Sequence, residues 1–291
     1  MDLSKTLILG FIAGVTIVIG MPLGRIKRPM PSLRLLLNAV AVGVLLFLVW
    51  DVLSAAWEPI DVALVGVHEH TGGLAPVFGY GSLFAAGLTV GLLSLVAYER
   101  YMSKVCRPPA RPQFGPGAMA VDELPARSGF AAWSPARRLA LLIAVGIGLH
   151  NFAEGLAIGQ AAASNRVALA ALLVVGFALH NATEGFGIVA PLAGDVDADG
   201  VARRPSWAFL LALASIAGGP TFIGTAIGHG FTNEAVSVAF LTLAAGSILY
   251  VVTQLLGIAS KAKRSDLLAY GLLVGLLAGF ITDMIVTAAG V

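Results

Sequence analysis

The chain has 291 residues, of which 58% are hydrophobic and only 12% are charged. A soluble globular domain has about 25% charged residues, so this chain has too little charge to cover a water-exposed surface. Its hydrophobicity also excludes a disordered chain. The formal net charge is only +2, and the single cysteine, Cys106, excludes a disulfide framework or a cysteine-rich metal cluster. The composition therefore predicts a protein with several membrane-spanning segments.

A transmembrane helix needs about 20 largely apolar residues to cross about 30 Å of hydrocarbon. Eight stretches of the chain meet this requirement, so we expect an all-α polytopic membrane bundle that forms a single transmembrane domain over residues 1–291. The predicted spans are 6–23, 35–53, 79–97, 139–161, 167–190, 207–227, 236–257 and 267–288.

The basic residues are distributed unevenly between the two sides of these spans. All lysines and arginines except Lys5 and Arg166 follow the first, third, fifth or seventh span. By the positive-inside rule, these segments face the cytoplasm and both termini are extracytoplasmic. The Pro- and Gly-rich segment at about 100–138 is predicted to be a flexible cytoplasmic loop. Because the basic residues lie at helix ends and form no single patch, no nucleic-acid partner is expected.

The pattern H-N-x-x-E-G occurs twice, in the fourth and fifth spans, thirty positions apart. The spacing i, i+4 places the His and Glu of each copy on one face of its helix. Counted from Arg138 and Arg166, the two histidines lie roughly 18 and 21 Å into the membrane, which is near the midplane. Ionisable groups at this depth are costly and commonly serve a function. The candidate metal ligands are His150, Asn151, Glu154, His180, Asn181 and Glu184.

Two imidazoles and two carboxylates from neighbouring antiparallel helices suit a divalent cation. This ligand set is compatible with zinc, iron, nickel or manganese, and the absence of thiolate argues against Cu(I). The alternative is a polar His–Glu contact that only holds the two helices together.

The duplicated motif resembles that of the ZIP (Zrt/Irt-like) family of divalent-metal transporters. The resemblance extends to the eight helices, the extracytoplasmic termini and the long loop between helices 3 and 4. It implies a multi-pass protein of the plasma (inner) membrane that moves a divalent cation into the cytoplasm through a site on helices 4 and 5. Zinc is the first expected substrate, and the ligand types do not separate it from Cd²⁺, Fe²⁺ or Mn²⁺.

One departure from the family pattern concerns helix 6. Gly219 precedes Pro220 where the family has a Glu, so a ligand for a second, neighbouring metal is missing. The sequence therefore favours one well-formed site and leaves a two-metal arrangement open.

Further polar residues are expected near the extracytoplasmic side. Asp51 in the second span and Asp283 in the eighth are candidates for the ion pathway. Histidines and an acidic residue in the predicted outer loops are candidates for capturing cations: His68, Glu69, His70 and His229.

Two other functions are alternatives to transport. An intramembrane metalloenzyme is not expected, because the zinc-protease motif H-E-x-x-H is absent from the sequence and the di-iron Glu-x-x-His pattern does not match. A metal-binding sensor or structural protein would use the same site without moving an ion. The sequence does not separate a monomer from a homodimer.

Overall fold

The computed structural model describes residues 1–25, 31–105, 133–189, 191–192, 195, 203–261 and 263–288. Over these residues the structure is helical and contains no strand, and eight helices are long and apolar enough to span a membrane. The prediction of an all-α, multi-pass membrane bundle is thus confirmed. The helices are α1 (Leu3–Val15), which continues as a 3₁₀ segment (Thr16–Arg25), α2 (Pro31–His68), α3 (Leu74–Val105), α4 (Pro135–Ala163), α5 (Val167–Val189), α6 (Trp207–Gly228), α7 (Glu234–Lys261) and α8 (Ser265–Ala288).

The first span is not the uniform α-helix that its hydrophobicity suggests. It changes from α to 3₁₀ geometry at Thr16, whose hydroxyl donates to the carbonyl of Ala13 at 2.7 Å. Pro22, inside the 3₁₀ segment, has no N–H to donate to a regular α-helical ladder. Hydrophobicity alone does not distinguish the two helix types.

Two helices extend well past the predicted spans. At 1.5 Å per residue, α2 is about 57 Å long, so it projects beyond the hydrocarbon layer. It extends to His68, which we expected in a loop. The predicted loop at 100–138 is likewise too long, because its first residues belong to α3 and its last residues to α4. Its central part, 106–132, lies outside the described residues.

The helices pack as two groups. The motif group consists of α1 with its 3₁₀ segment, α4, α5 and α6; the flanking group consists of α2, α3, α7 and α8. Within the motif group, glycines allow backbones to approach closely. A Cβ added to Gly14 of α1 would lie 2.3 Å from the carbonyl oxygen of Gly218 in α6, so only glycine permits this helix contact.

The ends of the helices define two membrane faces. The N-terminal ammonium of Met1 donates to the carbonyl of Ala162 at 2.8 Å, so the N-terminus lies beside the end of α4. We call this side the N-terminal face; it also carries the α2–α3, α4–α5 and α6–α7 turns. The other side is the opposite face.

Candidate metal site

The histidine of each motif copy contacts the glutamate of the other copy. Nε2 of His150 lies 3.0 Å from Oε1 of Glu184, and Nε2 of His180 lies 3.2 Å from Oε1 of Glu154. Within the first copy, the same His150 nitrogen is 3.9 Å from Glu154. This crossed arrangement follows from the spacing, because two antiparallel helices with His and Glu four residues apart place each His level with the opposite Glu. The two imidazole centroids are 6.2 Å apart.

All six motif side chains are buried. The most exposed of them, Glu184, is 6% exposed, whereas Glu154 and both asparagines are fully buried. Burying carboxylates in this environment is costly unless opposite charge or hydrogen bonding compensates them. The histidines supply part of this compensation, and a bound cation would supply more.

The two asparagines hold neighbouring helices with their amide nitrogens. Nδ2 of Asn151 donates to the carbonyl of Ala217 in α6 at 2.9 Å, and Nδ2 of Asn181 donates to the carbonyl of Ala13 in α1 at 3.0 Å. The amide oxygens of both residues are buried and accept no hydrogen bond from the described residues. Each asparagine therefore anchors a neighbouring helix and keeps one buried acceptor without a donor.

The glutamates add further acceptors of the same kind. Oε2 of Glu154 and Oε2 of Glu184 are also buried without a hydrogen-bond donor among the described residues. Nδ1 of His180 lies 3.2 Å from the carbonyl of Gly176, the type of contact that orients the other ring nitrogen of a metal-binding histidine. A site lined by carboxylate, amide and imidazole acceptors fits a cation.

The spacing of the ligand atoms is close to that of a coordination shell. One ligand atom each from His150, His180 and Glu184 lies within 4.8 Å of the others. Zinc binds nitrogen and oxygen at about 2.0–2.2 Å, so two ligands of one ion are at most about 4.4 Å apart. A small inward movement of these side chains would bring all three ligand atoms within bonding distance of one ion. Glu154 lies outside this set of three, although its Oε1 is 3.2 Å from Nε2 of His180 and 3.9 Å from Nε2 of His150.

The glycine that ends each motif copy contributes in a way the sequence reasoning did not anticipate. A Cβ on Gly155 would lie 2.2 Å from the carbonyl oxygen of Thr221, and one on Gly185 would lie 2.3 Å from that of Ile17. These glycines let α6 and the first span press against the site helices. The available signal in the sequence was a glycine directly after the glutamate in both copies.

The other predicted polar residues lie outside this cluster. Asp51 of α2 is close enough to Asp283 of α8 and to Arg166 to interact with both electrostatically.

Gly219, which stands where the family has a Glu, lines an apolar groove between α1 and α6. A Cβ added to it would meet no atom within 4 Å.

The proposed capture residues lie on the N-terminal face. His68 ends α2, Glu69 and His70 occupy the exposed turn that follows, and His229 follows α6. Over the described part of the chain, they do not join a second group of three close ligand atoms.

Comparison with known proteins gives one consistent family. The sequence model of the family described as "ZIP Zinc transporter" matches residues 125–286. The zinc transporter ZupT of Enterobacter sp. (strain 638) is 31% identical, over 99% of each chain. The proteins of the same name from Escherichia coli (strain K12 / DH10B) and Salmonella arizonae are each 30% identical, over 98% and 94% of this chain and 99% and 94% of their own.

Proposed function

The chain belongs to the ZIP family of divalent-metal transporters, and we propose that it moves Zn²⁺ into the cytoplasm through the buried His/Glu/Asn site of α4 and α5. The observation that carries this proposal is the crossed pairing of the two motif copies, with His150–Glu184 at 3.0 Å and His180–Glu154 at 3.2 Å. This pairing assembles imidazole and carboxylate ligands from two helices inside the membrane, where they can replace the water around a divalent ion.

The ion would approach from the N-terminal face, which we assign to the extracytoplasmic side by the distribution of basic residues. The exposed turn of His68, Glu69 and His70 would raise the local cation concentration there. Asp51 and Asp283, on the neighbouring helices α2 and α8, would guide the ion further in. One carboxylate oxygen of Asp51 is buried without a hydrogen-bond donor among the described residues, which supports a role for it on this route.

Passage through the site requires a conformational change. The motif side chains are at most 6% exposed, so neither face has open access in this structure. Alternating exposure of a fixed site near the midplane is the general mechanism of secondary transporters. The ion would bind when the N-terminal face opens and leave when the opposite face opens.

Metal flux into proteoliposomes tests this proposal. We expect saturable Zn²⁺ uptake by the wild type and about background uptake by His150→Ala and Glu184→Ala. Glu234→Ala is the matched control, because Glu234 is an exposed carboxylate on another helix, α7, where it accepts a hydrogen bond from Tyr80 at 3.0 Å. Parallel measurements with Cd²⁺, Fe²⁺ and Mn²⁺ would rank the substrates. Stoichiometric Zn²⁺ binding without flux of any ion would contradict transport and indicate a sensor or structural protein.

A further inference from the structure

The polar contacts of the structure lie mostly within each helix group. In the motif group, the asparagines join α4 to α6 and α5 to α1. In the flanking group, Tyr250 donates to Glu99 at 3.0 Å and so joins α7 to α3. Directional bonds thus join helices within the motif group and join α3 to α7 within the flanking group.

Between the two groups, the described residues form only two hydrogen bonds. On the N-terminal face, the guanidinium of Arg166 in the α4–α5 turn donates to the carboxylate of Glu58 in α2. Near the opposite face, the hydroxyl of Tyr98 in α3 donates to the carbonyl of Leu142 in α4 at 2.7 Å. Arg166 also interacts electrostatically with Asp51 of α2. Apolar contacts, such as the packing of Leu48 of α2 over Gly176 of α5, complete the boundary between the groups.

We propose that these two contacts, the N-face bridge (Glu58–Arg166) and the opposite-face bridge (Tyr98–Leu142), control from which face the metal site opens. The proposal rests on the proposed transport through α4 and α5. Apolar surfaces can shift against each other with little directional preference, whereas a hydrogen bond holds only over a narrow range of distance and angle. The two bridges therefore fix the position of one group relative to the other.

The bridges lie on either side of the metal site along α4. His150 is eight residues from Leu142, or about 12 Å along the helix, and Glu154 is nine residues, or about 14 Å, from Ala163, where α4 ends before the turn that carries Arg166. Both bridges are formed in this structure, and the site between them is closed to both faces. Release of one bridge with the other in place would let the groups separate at one end only.

The surroundings of the two bridges make them unequal. The side chains of Arg166 and Glu58 are 32% and 62% exposed, and water competes strongly for such an ion pair. Tyr98 is half-buried, and its ring packs against α4 at Gly146. A Cβ added to Gly146 would lie 3.0 Å from a carbon of this ring. The N-face bridge is thus the one that opens more readily, which favours loading from that face.

Hydrogen–deuterium exchange of the full-length, metal-free protein in lipid nanodiscs tests the bridges directly. Tyr98→Phe removes only the bridging hydroxyl, and Tyr250→Phe, which removes a hydroxyl bond within the flanking group, is its matched control. We expect Tyr98→Phe to speed exchange about two- to tenfold in the first turns of α4, the range for loss of one hydrogen bond, and Tyr250→Phe to leave these amides unchanged. Equal or absent effects of the two variants would overturn the proposal.

The N-face bridge has its own matched pair of variants. We expect Glu58→Gln to speed exchange of the α4–α5 turn up to about fivefold, and the control Glu234→Gln on the same face to have no effect there. The charge swap that combines Glu58→Arg with Arg166→Glu should exchange at the wild-type rate in this turn. Either charge reversal alone should exchange faster. Failure of the swap to restore the rate would overturn an ion-pair role.

Release of bound Zn²⁺ to a chelator separates this proposal from the proposed function. Both bridge variants should release Zn²⁺ faster than their controls if the bridges close the site. If the bridge variants alter hydrogen–deuterium exchange but the wild type binds no Zn²⁺, the proposed metal site is refuted and the proposal about the bridges stands. If the bridge variants leave hydrogen–deuterium exchange unaltered but the wild type transports Zn²⁺, only the proposal about the bridges is refuted.

Discussion

The two H-N-x-x-E-G copies supply the same side chains to one site but stand on different supports. The copy on α4 is backed by α6, which stays α-helical where Ala217 and Thr221 contact it. The copy on α5 is backed by the first span, which turns into a 3₁₀ segment between its two contacts, Ala13 and Ile17. Because 3₁₀ hydrogen bonds have poorer geometry than α-helical ones, the support of the second copy is the easier one to rearrange.

The two glutamates differ as well. Glu184 belongs with His150 and His180 to a set of three ligand atoms that lie within 4.8 Å of one another. Glu154 lies outside that set but is 3.9 Å from His150 and 3.2 Å from His180. Identical motifs therefore need not have identical roles.

The largest expected difference between the copies concerns metal affinity. We expect Glu184→Gln to weaken Zn²⁺ binding by more than about 100-fold, because it removes a carboxylate that we propose as a direct ligand. Glu154→Gln should weaken binding by about 10- to 100-fold, the range for a group that supports a ligand, here His180. Calorimetric titration of the purified protein in detergent measures both values. Equal losses would show that the two copies are equivalent and that the observed asymmetry has no energetic consequence.

The next largest effect concerns the motif glycines. A Cβ at Gly185 would meet the backbone of the 3₁₀ segment at 2.3 Å, so Gly185→Ala forces the helices apart and should cost about 1–3 kcal/mol of stability. Gly187→Ala on the same helix is the matched control, since an added Cβ there meets nothing within 4 Å. The better helix propensity of alanine should make that control neutral or stabilising by up to about 1 kcal/mol.

Thermal unfolding of the detergent-purified variants compares the two substitutions. If Gly185→Ala were as stable as Gly187→Ala, the first span would move away from the added methyl group without loss of stability. Gly155→Ala extends the test to the first copy, where the contact is the α-helical carbonyl of Thr221 at 2.2 Å. A larger loss for Gly155→Ala than for Gly185→Ala would confirm that the 3₁₀ support is the softer one.

The sequence predicts the membrane-spanning helices and the His/Glu cluster for physical reasons. These reasons do not extend to the helices that pack behind the two motif copies, α6 and the first span. The cost of burying polar groups in lipid makes eight long apolar runs and two intramembrane His/Glu pairs conspicuous, and helical spacing alone brings the pairs together. The change of helix type at Thr16 depends on local hydrogen bonds and on the fit to α5, which hydrophobicity does not encode. The extension of α2 to His68 was missed because a helix in water need not be apolar.

The smallest expected difference concerns the asparagines. Asn151→Ala removes the side-chain hydrogen bond to Ala217, and we expect a loss of about 1 kcal/mol of stability. Asn181→Ala should cost about half as much, because the carbonyl of Ala13 still accepts the hydroxyl of Thr16 at 2.7 Å. The double variant of Asn181→Ala with Thr16→Val should then lose more than the sum of the two single changes, since no side chain would satisfy that carbonyl. Strict additivity in thermal unfolding would mean that the two donors act independently and that Thr16 does not compensate for Asn181.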